Sequence, residues 1–534
     1  MTSPEPTEDT LLLGERLASI SSQDSEEVLS YIQQHRISIT NKSPVNLTHP
    51  HESSRLSSSI SISDVISMHT NELEPEPTTT LVEEFKILVS YSFPMIITFL
   101  LQYSLTVASV FSVGRIGGTE LAAVSLSTMS ANITGYAIIQ GVSTCLDTLC
   151  AQAYGRKDYN AVGVHFIRCN YLLMLLFIPI FGLWVWGVEP TLLFLIDEPE
   201  SRDMCLLAAK YLRILAYGLP GFILFENAKH FLQSQGVFHA STYVLMICAP
   251  INAILNYLLV WDKNIGLGFV GAPLSVVITN WLMFILLYLY IYLECNTCWP
   301  KQPLYHPVFI TNWNKMISLA IPGVLMVEAE WLAWEIITFE AAKFGTKVLA
   351  AQSIITTTCI LIYQIPFALG IATSTRVAWF IGAASKSAAI IATRASIITA
   401  LVLGIVNEIE LASTVLIIGA IYQINDFLSC CTAGVLRGQG RQMIGGILNL
   451  VGYYLIALPS AYVFAFIIDL KLLGLWFGMI IALAFVSFTQ LYFVFISQWD
   501  DIIDKCVNEG VEEGHLNIES HSLLPSMSNS STII

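Results

Sequence analysis

Three carboxylates, Glu328, Glu330 and Glu335, stand in the stretch from Ile321 to Glu335, the first half of a strongly apolar segment that runs to about Phe339. Hydrocarbon is a poor solvent for an ionised carboxylate, and each one at the centre of a membrane helix costs roughly 2.5 to 3.5 kcal/mol. A segment that keeps three of them there must use them. A partly desolvated carboxylate can exchange a proton near physiological pH, and can hold either a proton or an organic cation. On a regular helix Glu330 and Glu335 point about 140° apart, whereas Glu328 and Glu335, seven positions apart, share a face. The three therefore cannot line one cavity wall unless the helix bends. Glu340 has Lys343 three residues on, and a surface pair accounts for it.

The elements that must position these groups are membrane helices. Hydrophobic residues make up 54% of the 534 and charged residues 12%, against the usual quarter in soluble proteins. Apolar runs of about 20 residues recur along the chain, which makes it an all-α polytopic membrane protein. Twelve helices are read, near 85–111, 121–143, 162–187, 205–232, 240–261, 268–294, 317–340, 348–373, 390–407, 412–436, 443–467 and 472–498. An even number places both termini on one side of the membrane. Alternate loops carry Arg156, Lys157, Lys301, Lys315, Arg376, Lys386, Arg437 and Arg441 against Arg115, Arg202, Lys263, Lys343, Lys347 and Lys471, and this excess puts the termini in the cytosol. Sliding the sequence by 228 residues pairs Pro94 with Pro322, Leu121 to Ala123 with Leu349 to Ala351, and Ser125 with Ser353. Two six-helix halves of like orientation follow, an arrangement that secondary transporters use. The expected organisation is a disordered tail over 1–80, a bundle over 81–294, a cytosolic loop over 295–316, a second bundle over 317–498 and a disordered tail over 499–534.

The formal charge of −15 is a property of the tails, which contribute −8 and −6. It says nothing about substrate, and no nucleic-acid partner is expected. The first 80 residues are rich in Ser, Thr, Glu and Pro and cannot bury enough apolar surface to order. Glu8 to Leu13 and Glu519 to Leu524 have the acidic-dileucine spacing read by vesicle adaptors, which points to the vacuolar membrane, with the plasma membrane as the alternative. The 11 cysteines lie mostly in apolar segments, and the lone Cys295-Asn-Thr-Cys298 is too little for a zinc site. Glu226 and Lys229 are spaced for an intrahelical ion pair. Arg376, Arg437 and Arg441 fall at helix ends, where they anchor the chain at the interface, and Asp147 is expected to cap or orient the loop holding Arg156 and Lys157. Pro94 and Pro322 sit near the starts of helices one and seven, where a lost backbone hydrogen bond permits a bend and hence gating. No HExxH, GxSxG, paired-histidine or Walker motif is present, so an enzyme is not expected.

Four stretches resemble the multidrug and toxic compound extrusion (MATE) family, in its eukaryotic, fungal branch. They are Leu121-Ala-Ala-Val with Gly141-Val-Ser-Thr-Cys-Leu-Asp-Thr-Leu-Cys-Ala-Gln-Ala-Tyr-Gly155; Ile321-Pro through Glu330-Trp and Glu335; Pro366-Phe-Ala-Leu-Gly with Ser374-Thr-Arg-Val377; and Gly434-Val-Leu-Arg-Gly-Gln-Gly-Arg-Gln442 with Gly452-Tyr-Tyr454. The resemblance implies two pseudo-symmetric six-helix bundles that export small, often cationic, compounds in exchange for protons or, less favoured here, sodium, with no other cofactor and no bound metal. It also implies that Glu330 is needed for transport, that Glu335 is a second acidic position of the same helix, and that Asp426 supplies the acidic group of helix ten. Glu328 departs from the family pattern.

Glu330 and Asp426 are thus the expected proton- and substrate-binding pair, with Glu335, and after it Glu328, on a second wall or the cleft between bundles. Trp331, Trp334, Tyr422 and Tyr453 are candidates for stacking on an organic cation, Trp331 foremost because it adjoins Glu330. The reading is of a monomeric antiporter in a lipid bilayer. A sodium-coupled exporter and a flippase-like transporter of lipid-linked sugars are the rivals, the latter disfavoured because the charges within the membrane segments are mainly acidic.

Overall fold

The computed structural model describes residues 78–196, 202–344, 346–412 and 417–522. Most of the N-terminal tail with its dileucine pattern lies outside them, as do Leu523 and Leu524 of the C-terminal pattern. Among the described residues every regular element is helical. Eleven helical stretches are long and apolar enough to cross a membrane. The first half holds α1 (Leu81–Gly114), α2 (Gly118–Gly155), α3 (Tyr159–Phe194), α4 (Arg202–Ser234), α5 (His239–Trp261) and α6 (Gly271–Glu294). The second half holds α7 (Asn314–Ala342), α8 (Thr346–Gly382), α9 (Lys386–Ala412), α10 (Ile417–Gly438), α11 (Gln442–Ile467) and α12 (Lys471–Phe495). Helix α10 stands in the place of the expected tenth span, and its apolar run is interrupted by Gln423, Asn425 and Asp426.

Local chemistry explains where these helices start and deviate. Thr80 and Glu83 form a reciprocal capping box that opens α1. Single π-turns interrupt α2 at Asn132–Tyr136, α3 at Leu183–Gly187, and α11 at Val451–Ala457 and Val463–Ile467. Such turns rotate the side chains beyond them, and one of them contains Tyr453.

Helix α7 belongs to the second half in sequence but packs on both. Its base, through Met316, Leu319 and Ala320, joins the large apolar core of the first half. Beyond Pro322 its face of Ala329, Ala333, Ile337 and Ala341 packs against Tyr453, Ala457 and Ala461 of α11 and Met479 of α12. Between these regions α7 crosses α2 at backbone contact, since a Cβ on Gly323 would fall 2.4 Å from both the Gly141 carbonyl oxygen and Thr144 Oγ1.

The disordered tail expected from residue 499 is corrected in its first part, where the chain continues as α13 (Trp499–Ser522). Trp499, Ile503 and Cys506 recur on one face of it and close an apolar cluster with Val377, Phe380 and Ala388. Glu509 pairs with Lys315 at 2.9 Å, and Asp500 with Lys386 at 2.7 Å. The loop between the halves is also fastened: Arg168 Nε donates to the Val308 carbonyl at 2.9 Å, and Tyr171 donates to that of Leu304 at 2.8 Å.

Candidate functional site: an acidic pair ringed by tyrosines

Helix α7 delivers Glu330 and α10 delivers Asp426 into the interior of the second half, close enough for the Glu330 charge to act on Asp426. Three tyrosines from three other positions lie near enough for both charges to act on them. Tyr363 of α8, Tyr422 of α10 and Tyr453 of the α11 π-turn each lie within reach of both carboxylates. Asp426 is 1% exposed, and its Oδ2 has no hydrogen-bond partner among the described residues. Trp334 extends the aromatic wall, packing edge-on against Tyr422 with ring centroids 5.5 Å apart and beside Trp476 at 5.3 Å.

A chain of side-chain amides fixes α7 relative to α10. Thr432 of α10 lies 2.9 Å from Gln490 Oε1 of α12; Gln490 Nε2 donates to Asn449 Oδ1 of α11 at 3.1 Å; and Asn449 Nδ2 donates to the Met326 carbonyl of α7 at 3.1 Å. Met326 is one helical turn before Glu330. Ser487 of α12 also donates to Asn425 Oδ1 at 3.3 Å, next to Asp426. Every link of the amide chain is buried, where a hydrogen bond once made is expensive to lose. Sequence reading missed this scaffold because an isolated Asn or Gln in an apolar helix does not name its partner.

Glu335 faces elsewhere. It lines a cavity of about 490 Å³ between the halves, with Thr338 of α7, Val110 of α1, Met204 of α4, and Ser125, Met129 and Asn132 of α2. Glu328 does not join it there. It lies beside Tyr454 of α11, two turns or about 10 Å nearer the start of α7 than Glu335, so a shared helical face does not give a shared wall. Trp331 is half-buried beside Glu330. Pro322 directly precedes the Gly323 crossing with α2, and the Pro94 carbonyl accepts from Thr242 Oγ1 of α5 at 2.8 Å. Among the described residues no cluster of His, Cys, Asp and Glu is arranged to hold a metal ion.

Other charged groups are neutralised locally. Glu226 and Lys229 form the anticipated pair at 2.5 Å, joined by Gln102 and by the Phe99 ring 5.1 Å from the ammonium. Lys343 and Glu340 pair at 2.7 Å. Two expectations are corrected. Arg376 is no interfacial anchor but grips buried Glu84 through two bonds of 3.0 and 2.5 Å. Asp147 neither caps nor orients a loop: it is 1% exposed, bonded to His230 and faced by a buried Arg437. Sequence places both arginines at helix ends, but it does not show that other helices extend past them and cover them.

The MatE family model matches residues 94–258 and 322–408, stretches that begin at Pro94 and Pro322. An uncharacterized transporter of Saccharomyces cerevisiae is 41% identical over 79% of this chain, and the match spans 63% of that relative's length. The rat multidrug and toxin extrusion protein 1 is 31% identical over 78% of this chain and 75% of its own. Among solved structures, the eukaryotic MATE transporter AtDTX14 superposes with a TM-score of 0.74 at 25% identity, over 80% of this chain and 99% of that one. Twin matched segments, relatives in fungi and mammals and a shared architecture agree, and the chain belongs to the multidrug and toxic compound extrusion family.

Proposed function

We propose that this transporter is a secondary antiporter that exports small organic cations from the cytosol in exchange for protons. The observation that carries the reading is the Glu330 and Asp426 pair. Two carboxylates placed together in a poorly solvated pocket cannot both remain ionised without a penalty, so the pocket favours either a proton or a bound cation. Tyr363, half-buried near the pair, offers a ring to an organic cation, worth about 0.5 to 2 kcal/mol. Substrate and proton thus compete for one site, and alternating access between the halves turns the competition into exchange. Glu335, in the separate cavity, is the carboxylate that a cation meets on its way between that site and the space between the halves.

The excess of Lys and Arg at the ends of α2, α6, α8 and α10 supports cytosolic termini. Export then runs toward the more acidic compartment, a vacuole or the exterior, with the vacuolar membrane the preferred assignment and a monomer the working unit. Proton coupling is preferred over sodium because, among the described residues, the two carboxylates are not joined by further acidic ligands of the kind a hard cation takes.

The test is uptake of a fluorescent organic cation into proteoliposomes under an imposed pH gradient, comparing the natural protein with Glu330→Gln. Gradient-dependent uptake that the substitution abolishes supports the reading. Uptake that ignores both the gradient and the substitution overturns it.

A further inference from the structure

The contact between Asp147 and Arg437 joins the two halves, and nothing in the exchange chemistry above uses it. Asp147 lies on α2 just past the irregular step at Thr144, where the helix breaks before resuming at Cys145. Arg437 is on the last turn of α10. Both are buried within the protein, and Arg437 Nη1 approaches Asp147 Oδ2 to 4.0 Å. The other carboxylate oxygen, Oδ1, is 2.6 Å from His230 Nδ1 on α4 of the first half. Asp147 thus has one hydrogen-bond partner in its own half, while Oδ2, unbonded among the described residues, is faced by a guanidinium across the interface.

The surrounding seam is polar and specific. Thr148 Oγ1 donates to the Arg437 carbonyl at 2.6 Å, and Gln152 Nε2 donates to the Gly438 carbonyl at 3.1 Å. From α11, Gln442 Nε2 reaches Thr148 Oγ1 at 3.2 Å and the Thr144 carbonyl at 3.4 Å. The end of α10 and the start of α11 are therefore together fastened to one flank of α2 over about two turns. The cavity lined by Glu335 lies toward the opposite end, against the early part of α2, so this face of the membrane is the closed one.

Helix α10 connects the seam to the acidic pair. Asp426 and Arg437 are eleven residues apart, three turns of a regular helix, so they share a face and lie about 16 Å apart along the axis. The Cys430 thiol between them lies within range of both charges. A helix is stiff along its axis, and a shift or rotation of α10 when Asp426 gains or loses a proton or cation is delivered to Arg437.

We infer that Asp147 and Arg437 are positioning residues of the transport cycle. Their contact holds this face shut, α10 links it to occupancy at Asp426, and His230 keeps Asp147 satisfied when Arg437 withdraws. The inference rests on the alternating-access reading above. The chemistry gives the reason for a histidine at 230: opening would otherwise strand a buried carboxylate without a partner.

The test uses full-length protein bearing spin labels at exposed positions 159 and 387, one on each half at this face. The double variant Asp147→Asn/Arg437→Gln removes both charges and leaves no unpaired ion. It should lengthen the distance between the labels, slow cation uptake at least tenfold and leave equilibrium cation binding within threefold of the natural protein. Thr148→Val, which takes a hydroxyl from the same seam without touching a charge, should lengthen the distance in the same sense. Arg437→Lys keeps the charge and should retain uptake within threefold. An unchanged distance in both the double variant and Thr148→Val overturns the inference, as does wild-type uptake by the double variant. Wild-type uptake by Glu330→Gln together with slow uptake by the double variant would instead refute the site assignment and leave the seam standing.

Discussion

Replacing Glu330 by Gln should weaken binding of a monovalent organic cation by about thirtyfold, with the fold intact. A cation 4 Å from a carboxylate gains about 4 kcal/mol at an effective dielectric constant of 20, and part of this offsets desolvation of both ions. Truncating one member of a close charge pair in a desolvated site costs about 2 to 5 kcal/mol. Glu330 is only partly buried, whereas Asp426 is fully so, which puts Glu330 near the lower bound. About 2 kcal/mol is about thirtyfold in affinity. Asp426→Asn should cost at least as much. The double substitution should cost more than the sum, because either carboxylate alone can remain ionised once its neighbour is neutral and only the double variant loses both. The assay is equilibrium titration of a fluorescent cation into purified protein at several pH values. Competition by a proton makes the natural protein lose affinity as pH falls, by up to about tenfold per pH unit for each proton exchanged, and the double variant should show a flat profile. Affinity within threefold of the natural protein for Glu330→Gln, with the pH dependence unchanged, refutes competition at this pair.

Three further outcomes follow from the geometry. Glu226→Gln leaves Lys229 charged in a site where both side chains are at most 2% exposed; it should destabilise the first half by about 3 to 5 kcal/mol, whereas Glu226→Gln/Lys229→Met should recover most of the loss, read as melting temperatures in detergent. Gly323→Ala puts a methyl group 2.4 Å from the Gly141 carbonyl oxygen at the α2 and α7 crossing; it should cost about 1 to 3 kcal/mol, and a melting temperature equal to that of the natural protein would show that the helices part freely there. In the loop between the halves, burial pushes the Cys298 thiol up to about 12, so its reactive thiolate stays scarce until the pH is far above neutral. Maleimide should label it slowly at pH 7 and faster as pH rises, and rapid labelling at pH 7 in folded protein would contradict the burial.

The membrane spans, their number and the repeat are legible in the sequence because hydrocarbon imposes one requirement on every span: about twenty apolar residues whose backbone bonds close within the helix. The intruders are legible for the same reason. Glu330 and Glu335 break an apolar run, and helical geometry alone separates them by 140°, whereas Asp426 is found through the family resemblance. Partners are another matter. Asp147 and Arg437 are 290 positions apart, and Arg376 and Glu84 are 292 apart, so nothing local tells an arginine at a membrane interface from one buried against a distant acid. Tyr363 gives no such signal, because a tyrosine in a membrane helix looks the same against lipid as against a carboxylate. The helix from Trp499 was missed because its composition is acidic, and the apolar contacts at Trp499, Ile503 and Cys506 are a narrow stripe.

The placement of α7 gives these separate contacts one mechanical consequence. Its base belongs to the core of the first half, its middle touches α2 through bare backbone at Gly323, and its upper face belongs to α11 and α12. The halves cannot move apart as rigid bodies without loading α7 between the base and the face, and Pro322 is the residue there that lacks an interior helical hydrogen bond. Bending at that point rotates Glu330 relative to Asp426 while the Asn449 bond to the Met326 carbonyl resists. The position of α7 and the occupancy of the acidic pair therefore work on each other. On the proposed exchange, a bound proton or cation that reduces repulsion between Glu330 and Asp426 would favour a straighter α7, and a bend that separates them would make the pair easier to leave ionised and empty. On that reading the helix that carries Glu330 is also the one that packs on both cores.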